Sequence, residues 1–163
     1  MPTRGFTLVE LMFTLVVVAI LLGAAVPSIH KTILVNRLHH AAEDFRQFLL
    51  EAKSVAIQKN QPVYLNYGAW SSTEHCVGYR AGLTCYCTTA GSCDKVFTDR
   101  DYDGVSFYAG NGSSGVAAFQ PYGWAPGKWT FKMQVGSNGT YERRAWIVTN
   151  KMGVINLIYT DAY

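Results

Sequence analysis

Sixteen residues from Leu11 to Val26 carry one polar side chain, Thr14, and a carboxylate, Glu10, stands directly before them. With Phe6 to Val9 added, the run reaches the ~20 residues that an α-helix needs to cross a bilayer. Ten of the sixteen are Leu, Ile, Val or Phe, and at roughly −0.3 to −0.6 kcal/mol each they favour insertion by about 3–6 kcal/mol. A carboxylate at the centre of such a span costs about 2.5–3.5 kcal/mol, and less near its end, where Glu10 sits, so insertion wins. Arg4 flanks the N-terminal side, which places that end in the cytoplasm and exports the rest of the chain. An ionisable group kept in an apolar span is expensive and points to function; the bland reading is a charge snorkelling at the interface.

The pattern behind the run is also helical. Val35, Leu38, Ala42, Phe45, Leu49, Ala52 and Ala56 recur at spacings of three and four and form one stripe, with Arg37, Glu43, Asp44, Arg46, Glu51 and Lys53 largely off it. No Gly or Pro interrupts residues 28–59. The spacing predicts one helix from about Phe6 to Lys59, kinked near Pro27, where the ring removes a backbone donor. The alternative is a plain helix end there. Asn60 and Pro62 supply the stop. The stripe needs a partner: the chain's own sheet by default, a coiled-coil partner otherwise.

Gly5-Phe6-Thr7-Leu8-Val9-Glu10, the apolar run to Val26 and the following Pro27 resemble the N-termini of type IV prepilins and type II secretion pseudopilins. The likeness continues through Asn36-Arg37-Leu38, Glu51 to Ile57 and Asn60-Gln61-Pro62-Val63, where the GspH/FimT/FimU branch typically leaves its helix. Further on it is an outline only, through Phe119-Gln120-Pro121 and Arg144 to Val148. An ordinary secretory signal is cut after its apolar stretch. The resemblance implies a cut before it, by a prepilin peptidase between Gly5 and Phe6, with Phe6 then N-methylated and the apolar helix retained. It implies further that Glu10 pairs with the N-terminal amine of a neighbouring subunit during assembly, so that two opposite charges leave water together. The expected organisation is a leader at 1–5, a transmembrane and assembly half-helix at 6–29, an amphipathic half-helix at 30–59 and a periplasmic β domain at 60–163. The fold class is α+β and pilin-like, a long kinked N-terminal helix packed on an antiparallel β-sheet or small β-sandwich.

Composition agrees with one modest globular domain behind the helix. The chain has 163 residues, of which 15% are charged and 13% aromatic, too apolar for disorder. Residues 62–163 carry eight Lys or Arg against seven Asp or Glu, with none of the clustered basic face of a dedicated nucleic-acid binder. Seven short β-like runs follow Pro62: Val63–Tyr67, Cys76–Arg80, Val105–Tyr108, Val116–Phe119, Trp129–Val135, Arg143–Thr149 and Val154–Tyr159. Asp103-Gly104, Asn111-Gly112 and Ser137-Asn138-Gly139 mark turns, and Asn150 to Gly153 a hairpin loop.

Cys76, Cys85, Cys87 and Cys93 are clustered, and an exported domain meets an oxidising compartment. Bridging Cys85 to Cys87 across one extended residue is awkward. Two pairings remain, Cys76–Cys85 with Cys87–Cys93 or Cys76–Cys87 with Cys85–Cys93, and the first is preferred. A zinc site with His75 is the rival, but C-x-C lacks the usual knuckle spacing. Adjacent His39 and His40 read as helix-surface residues, while His30 and His75 carry no signal. Asp99, Asp101 and Asp103 before Gly104 begin like a calcium loop, but Gly110 stands where its Glu belongs, so a solvated turn is expected. No catalytic constellation and no cofactor motif has spacing support, and no enzyme is expected.

The resemblance therefore implies a minor type IV pilin, a structural or assembly subunit whose partners are the prepilin peptidase, other major and minor pilins and the inner membrane. The alternative is a GspH-like minor pseudopilin of a type II secretion system. A third reading is a DNA-uptake pilin of the FimT kind. In that group a Gly-Arg-x-Arg motif serves DNA, and its positions here hold Gly153-Val154-Ile155-Asn156. Phosphate contacts supply most non-specific affinity, so losing both arginines disfavours DNA as a partner, and Arg143, Arg144 and Lys151 read as ordinary surface charge.

Overall fold

The computed structural model describes residues 5, 7–71, 73–109, 117–137 and 140–161, with the side chains of 24–28, 30, 136–137, 140–142 and 161 outside that description. The chain forms two compact units, Met1–Ile33 and Leu34–Tyr163. One helix, α1, runs from Leu8 to Lys59 and contributes to both. It starts two residues later than the periodicity suggests, and Phe6 lies outside the described residues. The helical assignment continues through Pro27; the kink expected there falls on side chains outside the described set.

In the second unit α1 ends as its sequence demands. Asn60 adopts a left-handed φ of 48°, the Gln61 N–H reaches the Ala56 carbonyl at 3.2 Å and the Asn60 N–H reaches Ile57 at 3.3 Å. This is a Schellman closure, with Asn in the position that tolerates positive φ and Pro62 just beyond it. Among the described residues eight strands follow: β1 (Val63–Ala69), β2 (His75–Ala81), β3 (Lys95–Thr98), β4 (Val105–Ala109), β5 (Ala117–Phe119), β6 (Trp129–Ser137), β7 (Thr140–Thr149) and β8 (Ile155–Asp161). They make two four-stranded sheets, ordered β3-β2-β1-β5 and β4-β6-β7-β8, and every pairing is antiparallel. Each of the seven runs foreseen from alternation overlaps a strand; Val116, and the expected turns at Asn111-Gly112 and Asn138-Gly139, lie outside the described residues. β3 was not foreseen.

The helix stripe is buried in this unit. Leu38, Ala42, Phe45, Leu49, Ala52 and Ala56 are fully buried, and Ala41 and Phe48 widen the stripe. Its partner is the chain's own pair of sheets. Phe45 is the keystone, with its ring 4.9 Å from Phe97 of the first sheet and 5.0 Å from both Phe107 and Phe131 of the second. Alternation does the rest: Phe131, Met133 and Val135 of β6 and Ala145 and Ile147 of β7 enter the core, while the intervening side chains form the opposite face. The hairpin between β7 and β8 closes as expected, through Asn150 N–H to the Val154 carbonyl at 3.1 Å and Gly153 N–H to the Asn150 carbonyl at 2.9 Å.

Candidate functional site

The first unit begins with Gly5, exposed and outside the helix. Thr7-Leu8-Val9-Glu10 has the T-x-x-E spacing of a capping box, and Thr7 caps the helix. Its Oγ1 accepts the Glu10 N–H at 3.3 Å, and its carbonyl accepts the Leu11 N–H at 3.2 Å. Glu10 lies in the first turn, where the positive end of the helix dipole favours a carboxylate. Thr14, the lone polar side chain of the run, is neutralised locally, its hydroxyl donating to the Leu11 carbonyl at 2.8 Å. Every large apolar side chain from Leu8 to Leu22 is exposed. Among the described residues no helix is long and apolar enough to cross a membrane. Gly5 and Glu10 thus stand on either side of a capped helix start, while Phe6 lies outside the described residues.

In the second unit the four cysteines come together as Cys76–Cys87 and Cys85–Cys93. This corrects the preferred pairing of Cys76–Cys85 with Cys87–Cys93. The two bridges interlace: β2 carries Cys76, and Cys85, Cys87 and Cys93 lie in the segment between β2 and β3. Backbone space makes room for the sulfurs. A Cβ on Gly78 would stand 2.3 Å from the Cys93 Sγ and 3.1 Å from the Cys87 Cβ, and one on Gly68 would stand 3.0 Å from the Cys87 Sγ. With all four thiols consumed in disulfides, the zinc alternative has no thiolate ligands, and no group of three or more metal-ligating side chains gathers among the described residues.

His75 was read as carrying no signal, and the structure corrects this. It is buried against an equally buried Asp99. The Asp99 carboxylate accepts the His75 backbone N–H at 2.9 Å and lies 3.1 Å from its Nδ1. The rings of Tyr67 and Tyr108 flank the imidazole at 5.8 and 5.4 Å. The same contact settles the calcium-like run. Asp99 is turned inward on a 3-10 turn (Asp99–Asp101) capped by the Thr98 hydroxyl, and Asp103 pairs with Arg37 at 3.0 Å. Asp99 and Asp103 therefore face different partners rather than one ion. Of the adjacent histidines, His40 is exposed and His39 stacks on Tyr159 at 4.1 Å.

Helix-to-sheet polar contacts ring the core. Glu51 of α1 accepts from the Tyr79 hydroxyl at 3.0 Å and from Lys95. The Lys95 contact holds the Glu51 carboxyl below its usual range, against a smaller opposing effect of burial. Burial first, and Glu51 second, push the Tyr79 phenol well above its usual range. Tyr102 donates to Asp44 at 2.6 Å and is raised for the same reasons, burial and then its carboxylate.

The positions matching the DNA motif are a turn and a strand start. Gly153 has a φ of +69°, and a Cβ there would lie 2.0 Å from the Gly123 carbonyl oxygen, so the glycine is needed for backbone approach. Its carbonyl accepts Lys53 Nζ at 3.0 Å. On the face of the second sheet away from the core, Lys132 Nζ sits 4.9 Å from the Tyr108 ring and 6.0 Å from the Trp146 ring. Neither the buried His–Asp pair nor this aromatic row was legible in the linear sequence, since each is assembled by register.

Residues 1–26 match the family model of the prokaryotic N-terminal methylation motif, and residues 41–153 match that of the type II transport protein GspH. Two crystal structures of the type IV minor pilin FimU of Pseudomonas aeruginosa are similar in fold. One superposes with a TM-score of 0.55 at 16% identity, over 76% of this chain and 89% of that one. The other gives 0.52 at 17% identity, over 74% and 92%. No curated protein sequence matches the chain significantly.

Proposed function

Because this chain belongs to the GspH family of type II transport proteins, we propose that it is a minor type IV pilin, a structural subunit of a pilus or of the complex that primes its tip. The observation that carries the reading is the capped helix start followed by an apolar helix whose every large side chain is exposed from Leu8 to Leu22. Such a surface requires lipid or a neighbouring helix. On this reading a prepilin peptidase cuts between Gly5 and Phe6, Phe6 is N-methylated, and residues 6–29 anchor the subunit in the inner membrane with its N-terminus cytoplasmic. Residues 30–59 and 60–163 then form the periplasmic part. Glu10 meets the Phe6 amine of an adjacent major or minor pilin, and Pro27 bends the helix for that packing. A staggered head-to-tail contact of this kind is heterologous and propagates as a helical fibre. The role is structural, without catalysis, and DNA is not a partner. One observation favours a second reading, a minor pseudopilin of a type II secretion system: the matching family model is the type II transport protein itself.

Replacing Gly5 by a bulky residue (Gly5→Phe) should leave the leader attached and keep the subunit out of filaments. N-terminal mass spectrometry of sheared, assembled filaments reads both. The expected wild-type species starts at methylated Phe6, and filaments carrying an unprocessed Met1 start would refute the reading. Loss of surface pili on deletion of the gene supports the pilus; loss of protein secretion with pili intact supports the pseudopilin.

A further inference from the structure

Two buried glycines of positive φ meet over the last turns of α1: Gly123, between β5 and β6, and Gly153, in the β7–β8 hairpin. A Cβ on Gly153 would stand 2.0 Å from the Gly123 carbonyl oxygen, and one on Gly123 would stand 3.2 Å from Ile57 Cδ1. The two connections therefore touch through backbone alone, and the residues on either side of each glycine are left exposed. Tyr122 is 86% and Met152 73% exposed, and Trp124, Val154 and the neighbouring Ile57 are exposed as well. Their backbones are well held. The Ala125 N–H donates to the Lys151 carbonyl at 3.0 Å. Asn150 Oδ1 accepts the N–H groups of Met152 at 3.0 Å and Val154 at 2.9 Å, and Lys53 Nζ donates to the Gly153 carbonyl at 3.0 Å. Apolar side chains exposed singly are ordinary, but a gathered set marks an interaction surface. Tyr and Trp are the residues that most often dominate such contacts, and Met adapts to the shape it meets.

The charge around this patch has one sign. Residues 120–128 and 150–154 contain Lys128 and Lys151 and no Asp or Glu. Among the described residues neither lysine, nor Lys53 beneath them, pairs with a carboxylate. We propose that the patch docks an acidic, aliphatic segment of a different subunit of the same filament, a choice of partner that rests on the pilin reading above. Aliphatic side chains cover Tyr122, Trp124 and Met152, and carboxylates beside them meet the lysines that this chain leaves unanswered. A second copy docking through the same patch would set lysine against lysine. Nucleic acid would gain few phosphate contacts and would desolvate Met152, Val154 and Ile57 for nothing. A contact between unlike surfaces is heterologous, so it lets successive subunits point the same way, as a polar filament requires.

Photo-cross-linking of the full chain in intact cells tests the surface. Met152→p-benzoylphenylalanine alters an exposed side chain and leaves the core untouched. It should give an adduct with a different protein whose N-terminus is processed and methylated. Peptide mass spectrometry should locate the adduct in a stretch rich in Asp or Glu and aliphatic residues. The same label at Leu83, exposed elsewhere on this unit, should give none. Lys151→Glu in the labelled chain should cut the adduct by about fivefold or more, because attraction becomes repulsion at the rim, and Lys151→Arg should preserve it. Five results overturn the proposal: an adduct with a second copy of this chain, with lipid or with nucleic acid; an adduct with a protein whose N-terminus is unprocessed; an adduct in a stretch without carboxylates; no more adduct at Met152 than at Leu83; or an adduct indifferent to Lys151→Glu. The pilin reading survives these as long as the assembled chain begins at methylated Phe6; an unprocessed Met1 start in filaments removes that reading and, with it, the partner chosen here.

Discussion

Phe45→Ala tests whether the second part of α1 belongs to the head's core. Phe45 is fully buried. Its ring lies 4.9 Å from Phe97, 5.0 Å from Phe107 and Phe131 and 5.8 Å from Phe48, so truncation removes aromatic contacts to both sheets at once. Burying a Phe and then deleting its ring costs about 3–5 kcal/mol, from lost transfer energy plus the cavity left behind. The site has little scope to collapse, because its neighbours are rigid rings on three different strands, and the upper half of that range is expected. Domains of this size hold about 5–15 kcal/mol in total, so about a quarter or more of the stability is at stake. At roughly 2–4 °C per kcal/mol this lowers Tm by about 8–20 °C. Thermal and urea unfolding of the full chain in detergent, followed by tryptophan fluorescence, reads the change. Leu50→Ala on the exposed side of the same helix, at 42% exposure, is the control and should shift stability by about 0.5 kcal/mol or less. If Phe45→Ala costs no more than Leu50→Ala, the helix does not share the sheets' core and the account of the fold fails.

Asp99→Asn should destabilise the head by about 1.5–3 kcal/mol, the range for hydrogen bonds to a charged group, because one carboxylate serves both the backbone and the ring of His75; a urea midpoint within error of wild type would refute it. Glu51 gives a pH signature. Its folded-state pKa is lowered from 4.5, chiefly by Lys95, so its contribution is present above 4.5, is retained at neutral pH and is lost as pH falls through the lowered value. The stability gap between wild type and Glu51→Gln should be flat through neutral pH and close in acid, and a gap that widens in acid would reverse the sign. Tyr79, raised by burial and then by Glu51, contributes fully below its ordinary value of 10 and loses that contribution as pH rises past it. Absorbance titration should show its phenol ionising later than an exposed tyrosine, and earlier in Glu51→Gln than in wild type.

Periodicity made the helix and seven strands legible, because burial on one face enforces spacings of three to four or of two. What it missed was made by pairing between strands. β3 has four residues, of which only Phe97 is buried, too short a run for alternation to register. The β2–β3 register sets Cys76 opposite Thr98, and one step along it brings His75 to Asp99; the segment between these strands carries Cys85, Cys87 and Cys93 into their bridges, and local spacing contains neither outcome. The run Asp99, Asp101, Asp103 looked like one unit because its spacing is regular, yet a 3-10 turn sends its ends to His75 and to Arg37. At the N-terminus the motif was readable residue by residue, but the start at Leu8 rather than Phe6 reflects the Thr7 hydroxyl, a capping choice that hydrophobic spacing does not encode.

The crossed bridges also limit how the head behaves under mechanical load. Eighteen residues separate Cys76 from Cys93 inclusive, enough to stretch about 60 Å if pulled straight. A covalent shortcut runs instead through Cys76–Cys87, back two residues to Cys85 and across to Cys93, with Cα separations of 5.9 and 5.1 Å at the bridges. That route spans only about 18 Å at full extension. A tensile force passing through this stretch meets a stop after a third of its contour, and the remaining slack cannot be released while both bonds are intact.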